Sequence, residues 1–157
     1  MRTDIGISEK NRQAVVSILN TLLADEYVLY TKTRNYHWNV TGVNFHDYHK
    51  FFESQYEEID EIIDEVAERA RSLGGRAFGT IKEFLGTGRL KEKPGEVPAA
   101  KGMVLSLLED HEELIKTLRG DLVVCGESYK DAGTNDFLTG LMERHEKMAW
   151  MLRAILE

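Results

Sequence analysis

The sequence predicts an all-α protein, a bundle of four long helices with a short extra helix in the long connection between the second and third. Three observations carry this. Only two prolines occur, Pro94 and Pro98, and both fall in one connection, so long stretches free of helix breakers lie on either side. Apolar residues recur at helical spacing through those stretches. The 157 residues, 42% apolar and 30% charged, suit a single soluble domain over residues 1–157 with one core.

Each element follows from its own signals. Ser8 is placed to cap a first helix running to about Tyr36, with Val15, Ile18, Leu19, Leu22 and Leu29 on its core side. Asn39 to Asn44, with Gly42, reads as a turn. A second helix is expected from about Phe45 to Leu73, its apolar face running from Phe52 through Ile59, Ile63 and Val66 to Ala70. Gly74-Gly75 should end it in a left-handed cap. Arg76 to Val97 is the longest connection and holds one short helical turn, Ile81 to Leu85; its length marks a crossover rather than a hairpin. Pro98 is expected to open the third helix in its first turn, and Gly126 to end it. Thr134 or Asn135 should cap the fourth, with Phe137, Leu138, Leu141, Met148 and Leu152 inside.

Charge and cysteine content narrow the function. The formal net charge is −7, which repels phosphate and attracts cations where carboxylates cluster. The N-terminal segment from Met1 to Asn11 balances Arg2 and Lys10 against Asp4 and Glu9, so it is no basic tail. One cysteine, Cys125, excludes an intrachain disulfide framework. No signal-peptide pattern and no apolar run long enough for a membrane are present, so a cytoplasmic setting without membrane contact is expected.

The second helix carries the informative stripe. On an ideal helix His49, Glu53, Glu57, Asp60, Asp64 and Glu68 share a sector of about 100°. Like charges stacked four residues apart repel, and either solvent or a bound cation must offset that cost. A solvated acidic face is one reading. A histidine beside carboxylates is also the mixed nitrogen and oxygen set that suits iron, and His37 lies one turn region away. His49 and Asp64 are fifteen residues apart, about 22 Å along a helix, too far to share a metal within one chain. An antiparallel copy about a two-fold axis would bring His49 and Glu53 of one chain opposite Asp64 and Glu68 of the other. A di-iron site inside one bundle uses Glu-x-x-His pairs. Three residues before the five histidines stand Arg34, Val43, His46, Leu108 and Met142, none of them Glu.

The run from Asn35 to Gly42, Asn-Tyr-His-Trp-Asn-Val-Thr-Gly, followed by Phe45, His49, Phe52, Glu53, Asp64, Ala67-Glu68-Arg69 and Leu73-Gly74-Gly75, resembles the Dps family, mini-ferritins named as DNA-binding proteins from starved cells. The likeness is strongest from Asn35 to Gly75 and extends to the helix layout of the whole chain. It implies a ferritin-like four-helix bundle assembled as a hollow homo-dodecamer, with the short connection helix at the two-fold interface. It implies ferroxidase sites shared across that interface: His37, His49 and Glu53 from one subunit, Asp64 and Glu68 from its mate. Many members have Asp where Glu53 stands. The implied reaction is oxidation of Fe(II) to Fe(III), with hydrogen peroxide preferred over dioxygen, and storage of ferric mineral in the shell. Trp38 would then stand beside the site, to intercept stray oxidants or simply to pack in the core. Glu127, Asp131 and Asp136 resemble carboxylates that line iron-entry pores, or else serve the start of the last helix. His46, His111 and His145 read as structural or surface residues. Family members that bind DNA do so through basic tails, so little DNA binding is expected here. The alternative to a ferroxidase is a nucleoid-associated or structural shell of the same fold.

Overall fold

The computed structural model describes residues 3–157; Met1 and Arg2, one of the two basic residues of the N-terminal segment, lie outside the described residues. Five α-helices follow one another: α1 (Glu9–Asn39), α2 (Phe45–Ser72), α3 (Ile81–Thr87), α4 (Ala100–Val123) and α5 (Ala132–Leu156). The four long ones form the bundle, and α3 lies in the crossover.

Helix α1 begins where expected, with the Ser8 hydroxyl accepting from the Asn11 amide at 3.2 Å. It runs three residues beyond Tyr36, which carries His37 and Trp38 on its last turn. Leu19, Leu22 and Leu29 are fully buried. α2 meets them with Phe52, Ile59, Ile62 and Val66, also fully buried. Gly74 ends α2 with φ of +80°, and the amides of Gly75 and Gly74 bond back to the carbonyls of Ala70 and Arg71. That is the glycine-dependent closure its sequence promised.

Polar side chains of α1 pin the crossover. Asn20 accepts from the Phe78 amide at 2.8 Å and donates to the Arg76 carbonyl at 2.9 Å. Asp25, fully buried, accepts from Arg89 Nε at 2.6 Å and from the Leu90 amide at 3.1 Å. Between these anchors α3 is fixed by a capping box of Thr80 and Glu83. The hydrogen bond from Arg76, then those from the Gly79 amide and Thr80, holds the Glu83 carboxyl down at about 2. Phe84 stacks on Tyr27 with ring centres 4.1 Å apart, while Ile81 and Leu85 are left exposed.

Three expectations about α4 and α5 need correction. Pro98 is not in the first turn: α4 starts at Ala100, and Pro98 stands just before its cap, Ala99. Gly126 does not end the helix but sits inside a π-helical turn, Val124–Ser128, that continues it. A Cβ at position 126 would stand 3.1 Å from the Asn135 side chain, and that same side chain donates to the Leu122 carbonyl at 2.7 Å. The widened turn and the glycine thus let α5 approach the end of α4. Neither Thr134 nor Asn135 caps α5. Asp131 does, accepting from the Thr134 amide at 2.9 Å, with its carboxylate also held by Arg69 of α2 at 3.1 Å. Cys125 is buried here as a small apolar group, its thiol pushed up to about 12 by burial. Among the described residues no helix is long and apolar enough to cross a membrane.

Candidate metal centre

His37 closes α1 and His49 stands in the second turn of α2, joined by a five-residue link that turns at Gly42, φ +115°. The two rings stack with centres 3.7 Å apart and an interplanar angle of 20°. His37 Nδ1 lies 2.8 Å from the His49 carbonyl oxygen, and His49 Nδ1 lies 2.8 Å from the His37 carbonyl oxygen. A carbonyl oxygen can only accept, so both Nδ1 atoms carry the hydrogen. In the neutral rings both Nε2 atoms therefore present a lone pair. The backbone fixes tautomer and orientation together, the usual office of the groups behind a metal-binding imidazole.

Aromatic side chains hold the pair in place. Phe45 stacks on the outer side of His49 at 5.1 Å, and Tyr56 meets His37 edge-on at 5.2 Å. His37 is buried and His49 half-buried. Glu53, one turn beyond His49, is bonded to Lys50 at 2.6 Å. That hydrogen bond, against desolvation and with the lesser help of the charges of Lys50, His37 and His49, lowers the Glu53 carboxyl below the usual range. Hence the carboxylate is ionised at neutral pH.

Asp64 and Glu68 are exposed farther along α2. Asp64 borders a groove of 460 Å³ with Asp60, Tyr27 and Phe78. Among the described residues no three His, Cys, Asp or Glu side chains stand close enough to hold a metal ion. One chain therefore gathers His37, His49 and Glu53 at one end of α2 and leaves Asp64 and Glu68 at the other.

The remaining predicted positions divide. Trp38 is 62% exposed, so its core-packing reading is wrong. Its ring lies under the Arg34 guanidinium at 5.2 Å, and Arg34 also covers Tyr30 and Tyr56. Asp131 is buried and committed to capping α5 and to Arg69, which leaves it no face toward a pore. Glu127 and Asp136 are exposed, Asp136 in the second turn of α5. His46 is exposed, as expected. His111 and His145 are fully buried and joined, with His145 also bonded to Glu26. Sequence reasoning missed Glu26 and Arg34. Glu26 falls between Leu22 and Leu29 on the core stripe of α1, a signal available in the spacing.

The sequence matches a family model described as a ferritin-like domain over residues 16–157. It is 40% identical over 147 residues to DNA protection during starvation protein 2 of Bacillus anthracis, covering 93% of this chain and 98% of that one. The chain belongs to the Dps family. A second relative, described as an uncharacterized low temperature-induced protein of Nostoc, is 49% identical over 99% of this chain and 87% of its own. The Dps structure from Vibrio cholerae, described as a member of a broad superfamily of ferritin-like diiron-carboxylate proteins, superposes with a TM-score of 0.92. The two are 30% identical, with 100% of this chain and 98% of that one covered. The ferritin-like four-helix Dps fold expected from the sequence is thus the fold observed.

Proposed function

We propose that this Dps protein is a mini-ferritin ferroxidase that oxidises Fe(II) to Fe(III), preferentially with hydrogen peroxide, and stores the ferric mineral inside a homo-dodecameric shell in the cytoplasm. The observation that carries the reading is the reciprocal clamp between His37 and His49, which leaves both Nε2 lone pairs available, with the ionised Glu53 carboxylate one turn along α2 from His49. Two fixed imidazoles and a hard carboxylate make half of an iron site. Asp64 and Glu68 of the partner subunit supply the other half when two α2 helices lie antiparallel. Relatives named for protection during starvation and a neighbour named as diiron-carboxylate support both fold and chemistry.

In this reading the residues act as follows. His37 and His49 bind the substrate ion without reorienting, because the backbone has already fixed their rings. Lys50 keeps Glu53 ionised until the incoming cation takes its place. The carboxylates, hard and negative, stabilise Fe(III) more than Fe(II) and so assist electron loss. Two Fe(II) ions give one electron each to hydrogen peroxide, which with two protons becomes two waters, and no hydroxyl radical is released. Glu127 and Asp136, exposed near the start of α5, are the carboxylates available to an entry path. With a net charge of −7 per chain, the shell repels DNA.

The test is anaerobic loading with Fe(II) followed by peroxide, watching ferric absorbance. The ferroxidase reading expects fast oxidation in the parent and its loss in the His37→Gly, His49→Gly variant, with the assembly intact. A structural or nucleoid-associated shell would oxidise iron no faster than buffer in either protein. A mobility-shift assay at neutral pH and moderate salt should leave DNA unshifted; tight condensation without added divalent ions would contradict that part.

A further inference from the structure

Away from the His37–His49 end, three of the buried ionisable side chains that the iron chemistry does not use form one cluster. Glu26 of α1, His111 of α4 and His145 of α5 are all fully buried. His145 Nε2 lies 2.9 Å from Glu26 Oε1, and His145 Nδ1 lies 3.0 Å from His111 Nδ1. His145 therefore bridges a seam. The backbones pack closely within the α1–α2 pair and within the α4–α5 pair, and across the seam the contacts are far sparser.

α2 buries only uncharged residues. The sequence neighbours of the three turn elsewhere: Asp25 to Arg89, Asp110 to Lys32, and Arg144 to Glu58, Glu61 and Glu65. Glu26 Oε2 and His111 Nε2 have no hydrogen-bond partner among the described residues.

Counting hydrogens shows what the cluster can hold. Each of the two contacts needs one hydrogen between its heavy atoms. With Glu26 ionised and both rings neutral, His145 donates to Glu26 and His111 donates to His145, but a lone negative charge stays buried. One more proton, shared along Glu26 and His145, still fills both contacts and leaves the cluster with no net charge, which burial favours. A further proton has no place. On His111 it makes both Nδ1 atoms donors and turns the contact repulsive. Elsewhere in the cluster it leaves a buried positive charge without a counter-charge.

We propose that Glu26, His145 and His111 form an acid-sensitive latch across the seam between the two helix pairs, closed by the proton they share and opened when His111 takes up another. Burial first, and the neighbouring His145 second, holds His111 well below the ordinary imidazole value of 6.5. The sign follows. Above that value His111 is neutral in both the closed and the open state. Below it the open state binds a proton that the closed state refuses. Opening is then favoured by up to about tenfold per pH unit for this one proton.

Histidine ring-carbon deuterium exchange on the assembled protein, read by mass spectrometry from about pH 8 to about pH 4.5, reports each imidazole separately. Amide exchange on the same samples reports the seam. The latch predicts that His111 does not titrate as long as the seam stays protected. It also predicts that segments 22–29, 107–114 and 141–148 lose amide protection together in acid. His111→Gln keeps a polar partner for His145 and cannot titrate there, so its loss of protection should be shallower by up to about tenfold per pH unit, whereas His46→Gln should match the parent. His111 titrating near its ordinary value with the seam intact overturns the latch, as does an unchanged acid response in His111→Gln. If His111→Gln does not fold, the parent's ring and amide exchange decide alone.

Discussion

Two pairs of histidines lie in this bundle, and they are built in opposite ways. In the His37–His49 pair each Nδ1 is spent on the other residue's backbone carbonyl, and neither Nε2 has a hydrogen-bond partner among the described residues. In the His111–His145 pair the Nδ1 atoms are spent on each other, and the one Nε2 with a partner is taken by Glu26 in the interior. The first pair is preorganised to receive something from outside. The second is closed on itself and ties helices together. What separates a ligand from a structural histidine is therefore where the free lone pair points, which residue type and spacing do not reveal.

The comparison can be broken from either side. The largest effect is expected inside. His145→Leu leaves Glu26 buried without its partner and should cost about 3–5 kcal/mol of stability in chemical denaturation at neutral pH. It should leave the peroxide-driven oxidation rate of the folded assembly near that of the parent. A variant of parent-like stability would show that the cluster is not the tie described here. Next comes the outer pair. Replacing His37 and His49 with Gly should slow ferric absorbance growth by about a hundredfold or more, since loss of the ligands themselves should exceed the 10–100-fold typical of the groups behind them. Denaturation midpoints should move far less than in His145→Leu.

A smaller effect sharpens the outer site. Lys50→Ala removes the hydrogen bond that lowers the Glu53 carboxyl. The Glu53 proton is then lost at a higher pH, toward the ordinary carboxylate range. If Glu53 binds iron, the acid limb of the oxidation profile should move to higher pH in Lys50→Ala. An unmoved limb would take Glu53 out of the iron chemistry.

Much of this was legible in the sequence. Ser8, Gly74-Gly75 and the Ile81–Leu85 turn act through neighbours a few residues away, so local rules placed them well. The π turn and the Asp131 cap were not legible, because they depend on Asn135 reaching Leu122 and on Arg69 reaching across from α2. The same holds for the site. The stripe from His49 to Glu68 follows from helix periodicity alone, but the clamp between His37 and His49 needed the turn geometry at Gly42. The meeting of Glu26, His111 and His145 joins three helices far apart in the chain, and no spacing rule foresees it. Of the two readings of Trp38, core packing fails because the end of α1 turns the ring outward beneath Arg34, which its sequence neighbours do not reveal.

The central claim is that two subunits each complete the other's iron site, and subunit mixing tests it most directly. His37→Gly, His49→Gly chains and Asp64→Asn, Glu68→Gln chains should each be inactive alone. Dissociated together in equal amounts and reassembled, they should recover about a quarter of the parent's oxidation rate, because a random two-fold pairing restores one intact site in four. Mixed assemblies as inactive as their parents would contradict a shared site.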